Sequence, residues 1–137
     1  MAEDASPIVN ALNRPFWNGA DLGELRLPHC RDTGAAFWPP SPASPFTGGP
    51  VDWHPCDPLG EVESVVVYRR PFQQAFAALL PYGIALVGLR AGPRLLAHVE
   101  TPHAPGAPRV GSTVEIRFRR LIEGPHPLPV AVIPTAL

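Results

Sequence analysis

Apolar and polar residues alternate most regularly in the second half of the chain. From Gly60, Val62, Ser64, Val66 and Tyr68 alternate with Glu61, Glu63, Val65 and Val67, which predicts a long strand. Tyr82 to Arg90 is apolar at successive positions, as in a strand covered on both faces. Ala91-Gly92-Pro93 is a turn, and Arg94 to Glu100 predicts a third strand. Thr113 to Ile122 predicts a fourth, with Val114, Ile116 and Phe118 inward and Glu115, Arg117 and Arg119 outward. Val130 to Ile133 closes as a fifth. Pro71 to Leu80 is a connection with helical character from Gln73 to Leu79, and Thr101 to Ser112 is too rich in Pro and Gly for anything but a loop. Five strands in this order predict a mainly-β fold, a small closed Greek-key barrel without exposed edges.

The first half reads differently. Ser6-Pro7 has the pattern of a helix start, with Ile8, Val9 and Leu12 on one side of two turns. Asn13-Arg14-Pro15 starts a second short helix carrying Phe16, Trp17 and Leu22, and Gly23 ends it. Phe16 and Trp17 are adjacent and so point in different directions around that helix. Either one packs inward and leaves the other to a partner, or both lie in the core. Glu24 to Leu27 predicts a short strand, and residues 39–50 form no regular element. The division expected is 1–58 for the helices and a small ribbon, and 59–137 for the barrel.

Two turns in this half share one shape: Cys30-Arg31-Asp32-Thr33-Gly34 and Ser44-Pro45-Phe46-Thr47-Gly48. Each is patterned as a zinc knuckle, with two ligand positions three apart and a Gly that permits the φ > 0 turn. The four positions hold Cys30, Thr33, Ser44 and Thr47, and only one can supply a thiolate. Hydroxyls are poor zinc ligands at neutral pH, so the expectation is a ribbon that kept its shape without a metal. Two alternatives stay open: a remodelled site of His29, Cys30, His54 and Cys56, or a Cys30–Cys56 disulfide. A ribbon this small needs stabilisation from elsewhere. Packing of Phe37, Trp38, Phe46 and Trp53, together with a partner surface, is the expected source.

The order of these features resembles a known family. The chain presents Phe16-Trp17, two knuckles flanking Trp38-Pro39-Pro40, then Trp53, then a β-rich half opening at Gly60-Glu61-Val62. This is similar to the thiolase-associated OB-fold family with an N-terminal rubredoxin-like zinc ribbon, domain of unknown function thirty-five. The resemblance covers roughly residues 10 to 135; the absence of Cys at Thr33, Ser44 and Thr47 departs from it. It implies an accessory, non-catalytic subunit of a heteromeric acyl-CoA enzyme, with two copies of this chain and two of a thiolase-like catalytic subunit. The complex would be an acyltransferase or a retro-aldolase, steroid side-chain CoA thioesters being one substrate class. No cofactor is expected on this chain; a coenzyme A thioester is expected as the substrate of the complex. Phe16, Trp17, Phe37, Trp38, Pro39 and Pro40 are the candidate partner interface. Arg69, Arg117 and Arg119 are candidates for the CoA phosphates. Alternative readings are a companion of an enoyl-CoA hydratase and a single-stranded nucleic-acid-binding OB module.

Composition narrows these readings. A net charge of -1 over 137 residues provides no basic field to recruit nucleic acid. All 11 basic residues are Arg, so Schiff-base chemistry by this chain is excluded. Two Cys make no disulfide framework and suggest a reducing cytoplasm. Residues 1–14 lack the pattern of a signal peptide, and no apolar run reaches the length of a membrane span. No nucleophile is evident. Cys56 and His54 are two apart in a Pro-flanked segment, Ser64 and Ser112 lack a nucleophile-elbow sequence, and Glu61 with Glu63 reads as a solvated face. No catalytic residue is assigned.

Overall fold

The computed structural model describes residues 7–71 and 73–134. One α-helix, α1 (Arg14–Asp21), leads into a two-stranded antiparallel hairpin, β1 (Arg26–Cys30) with β2 (Val51–Pro55). Five strands then close a barrel: β3 (Leu59–Tyr68), β4 (Tyr82–Leu89), β5 (Arg94–Val99), β6 (Thr113–Arg119) and β7 (Leu128–Val132). Their order round the barrel is β3-β4-β5-β7-β6, with β6 returning to β3. β5 and β7 meet in parallel and all other pairs are antiparallel, the five-stranded OB arrangement. A 3-10 helix at Gln74–Leu79 fills the β3–β4 connection.

Helix α1 has its boundaries written into its sequence. Pro15 occupies the first turn, where its missing N–H is no loss. At the other end Gly23, at φ 75°, sends its N–H to Ala20 O, and Glu24 N–H returns to Gly19 O. This is a Schellman cap, and the left-handed residue it needs is the glycine. The helix expected over Ile8–Leu12 does not form. Ile8 is 85% exposed, Leu12 is 40% exposed, and the Asn10 side chain instead accepts from Leu12 and Asn13 N–H groups in a local turn. Ser6, the expected start of that helix, lies outside the described residues.

The barrel core comes from the inward residues of each strand: Val62, Ala85, Val87, Leu95, Val99, Val114 and Ile116. Phe16, Leu25 and Leu27 belong to the same cluster, so helix, hairpin and barrel share one interior. A bulge in β3 alters the alternation the sequence suggests. Val62 pairs with Val87 and Ser64 with Leu86, leaving Glu63 as the extra residue. The phase then flips: Val65 packs on the core, whereas Val66 is 55% exposed. Glu63 turns outward to meet Arg94 at 2.9 Å. On β4 the outer residue Ile84 packs against a second cluster of Phe76, Tyr82 and Leu128, so the strand is partly covered on both faces. β1 starts two residues after Glu24 and ends three after Leu27, and β7 starts two residues before Val130. β2, Val-Asp-Trp-His-Pro, has no counterpart in the sequence reading.

Candidate functional site

The β1–β2 hairpin carries both knuckles, and their backbones match. Gly34 at φ 77° gives its N–H to Cys30 O at 2.7 Å; Gly48 at φ 73° gives its N–H to Ser44 O at 2.9 Å. Such turns need a residue without a Cβ. Between them the four ligand positions form a small hydrogen-bonded cage. Cys30 is sealed from solvent, and Ser44 is 4% exposed. The Cys30 sulfur lies 3.6 Å from Thr47 Oγ1. Ser44 Oγ accepts from the N–H groups of Phe46 and Thr47, at 3.1 and 3.3 Å. Thr47 Oγ1 accepts from Gly49 N–H and donates to Asp32 Oδ2 at 2.8 Å.

Hydrogen bonds from Ser44 and then Thr33 lower the Cys30 thiol to about 6, against the opposing effect of burial. Thr47 has a single hydroxyl proton, and it goes to Asp32. Ser44 and Thr33, whose oxygens accept backbone N–H groups, keep their hydroxyl protons for the sulfur. One thiol and three hydroxyls do not fit a zinc ion, whose structural sites take four Cys or His ligands. Asp32, inside the first knuckle, was not singled out from the sequence. Its position between two ligand positions was the available signal.

The other face of the hairpin collects different chemistry. Successive residues of a strand point to opposite faces, so Cys30 and His29 part company. His29 lies opposite Asp52, and Leu27 opposite His54. The His29 and His54 rings lie 5.0 Å apart, and Cys56 Sγ is 3.6 Å from His29 Nε2. The remodelled set of His29, Cys30, His54 and Cys56 is thus split between two faces. Cys30 and Cys56 are both free, which corrects the disulfide alternative. Cys56 pairs with His29, not with the near neighbour His54, from which it takes only the backbone carbonyl at 3.5 Å. Burial pushes the Cys56 thiol up, the opposite of an activated nucleophile.

The aromatic residues divide into two groups where a single cluster was expected. Phe37 packs edge-on with Phe46 at 6.2 Å. Trp38 instead meets Phe16 at 4.7 Å, and Phe16 also meets Trp17 at 4.9 Å and Phe118 at 5.7 Å. Trp53 packs against the shared core. Phe16 is 2% and Phe37 6% exposed, so both leave the candidate partner interface and join the chain's own interior. Trp17, Trp38 and Pro40 are half-buried and Pro39 is exposed.

The three Arg candidates do not converge. Arg117 pairs with Glu115 at 3.1 Å and Arg119 with Glu100 at 2.6 Å, both on the outside of β6. Arg69 follows the last residue of β3, whereas β6 pairs with the first residues of that strand. Arg69 instead lines a shallow cleft with Val67, Tyr68, Arg70 and Pro71. Among the described residues no helix is long and apolar enough to cross a membrane.

Comparison with known proteins adds two independent likenesses. Residues 17–43 match the family model described as the ChsH2 rubredoxin-like zinc ribbon domain, and residues 53–119 match the ChsH2 C-terminal OB-fold domain. Among solved structures, the chain is similar to one of the Ltp2-ChsH2(DUF35) aldolase, with 28% identity and a TM-score of 0.78 over 92% of this chain and 97% of that one. Comparison with curated proteins gives no match.

Proposed function

The chain belongs, through both of its domains, to the ChsH2 family of zinc-ribbon and OB-fold proteins, and from that premise we propose that it is the accessory subunit of a heteromeric acyl-CoA enzyme. The observation that carries this reading is the likeness over nearly the whole length of both chains to a component of an aldolase assembly. The catalytic partner would be a thiolase-fold subunit, with two copies of each chain and a coenzyme A thioester as substrate. In a retro-aldolase, a base on the partner removes the alcohol proton, the C–C bond breaks, and the enolate is held by an oxyanion site. This chain supplies none of those groups; it supports the subunit that does.

Two features of the molecule favour a non-catalytic role. The thiol that is lowered, Cys30, is sealed inside the ribbon, and the thiol that solvent reaches, Cys56, is raised. Half-buried Trp17, Trp38 and Pro40 with exposed Pro39 provide the apolar surface for the partner, and Phe16 packs against both Trp rings. Co-expression with a thiolase-fold subunit from the same source tests the reading. The two should co-purify, and CoA-thioester cleavage should appear only in the pair. Turnover by this chain alone, or activity of the partner unchanged by its removal, would sink it.

A further inference from the structure

Cys56, His29 and His54 form a cluster that the accessory role does not use. His29 Nδ1 lies 2.9 Å from Leu27 O, so that nitrogen carries the proton and Nε2 presents its lone pair. That is the tautomer and support of a metal-binding imidazole, whose second nitrogen is held by a carbonyl or carboxylate. Nε2 faces Cys56 Sγ at 3.6 Å. Zinc bonds of about 2.3 Å to sulfur and 2.0–2.1 Å to nitrogen span about 3.5 Å across a tetrahedral edge. The pair is already at ligand spacing. His54 is exposed, with its ring 5.0 Å from that of His29. As the side chains stand, no three such groups among the described residues converge on one point. The exposed His54 side chain would have to rotate to join the pair. Asp57 follows Cys56 and adds negative charge beside the thiol, whereas Asp52, on the same face opposite His29, is already paired with Arg31 at 2.7 Å.

We infer that the face of the ribbon opposite the knuckles binds a thiophilic divalent cation of the zinc class through Cys56, His29 and His54. The ion would join both hairpin strands to the segment that leads into β3. Two side chains set in place and a third recruited make an exchangeable site, distinct in kind from a closed structural one.

Cobalt(II) titration of the full chain tests this, because a Co–thiolate bond absorbs in the near ultraviolet and tetrahedral cobalt in the visible. Expected is one equivalent per chain, with the bands bleached by added zinc. Cys30→Ser should leave them, and Cys56→Ser should abolish the thiolate band. His29→Gln and His54→Gln should each raise Kd by at least about tenfold, the least that loss of an outer-shell partner brings. Near-ultraviolet circular dichroism of each variant separates lost binding from lost fold, and His54→Gln, on an exposed residue, guards against the latter. A native chain without a thiolate band overturns the inference. So does a band that survives Cys56→Ser but not Cys30→Ser, or one that neither His variant weakens.

Discussion

The barrel and the ribbon bury their interiors by opposite means. Inside the barrel, Val62, Val87, Val99, Val114 and Val130 are each at most 1% exposed, and all but Val130 belong to one apolar cluster. In the ribbon, a buried thiol and the buried Ser44 hydroxyl connect to the exposed Thr47 and Asp32 in a chain of hydrogen bonds. Hydrophobic burial is non-directional and tolerates swaps that conserve volume. A buried polar network depends on every member, because one missing partner leaves another group unsatisfied. The ribbon is therefore the region where single-atom changes should matter most per atom removed. The barrel should respond to the volume removed.

Phe16 is the point at which that contrast is most exposed to test, since it touches Trp38 of the ribbon and Phe118 of the barrel. Phe16→Ala should cost about 3–5 kcal/mol, the range for a fully buried aromatic. Denaturant unfolding should still show a single transition at a lower midpoint. Two separated transitions would mean that the regions fold independently, and the contrast would then concern two domains and not two parts of one interior. Restoring the thiols comes next. The triple variant Thr33→Cys, Ser44→Cys, Thr47→Cys keeps the two Gly turns and should bind one zinc per chain more than the parent does. At a free ion concentration about a thousandfold above Kd the gain is about 4 kcal/mol. Failure to bind zinc, measured against the parent chain, would show that the cage has drifted from ligand geometry.

The same division decides what could be read from the sequence. Barrel strands follow from alternation, and five of them in OB order were legible because one buried face imposes a period of two. The bulge at Glu63 was not: an extra residue leaves no mark in a Val-rich run, and only pairing with β4 shows that Val65, not Val66, faces inward. The knuckle positions were legible from spacing and Gly34 and Gly48. What replaced the metal was not, since the contacts of Thr47 with Asp32 and Cys30 span 15 and 17 residues. The aromatic residues misled for a related reason. Composition counts Phe16, Phe37 and Trp38 alike, whereas packing buries the first two and leaves the third half-covered.

Ser44→Ala removes the acceptor of two backbone N–H groups and the main donor to Cys30. A loss of about 1–3 kcal/mol is expected, from groups left buried without partners. Leu22→Ala, at a position 69% exposed, should stay within about 0.5 kcal/mol and sets the scale for a change outside either interior. If the two variants proved equal, the cage would contribute nothing beyond filling space.

The effect most specific to the cage is one of pH. Ser44 and Thr33 lower the Cys30 thiol to about 6 in the native chain, against about 8.5 for a free thiol in the unfolded one. Between those values the unfolded state binds more protons, so stability rises with pH through that window and is lost as pH falls through about 6. Two other groups titrate nearby. Burial lowers His98, which also favours the native state less as acid is added, and burial raises Cys56, whose contribution declines as pH rises past about 8.5. Comparison of the parent with Cys30→Ser at each pH cancels both. The difference in unfolding free energy between them should widen from about pH 6 to about pH 8. A constant difference would mean that the sulfur keeps its proton and donates it to Thr47, whose own proton is committed to Asp32.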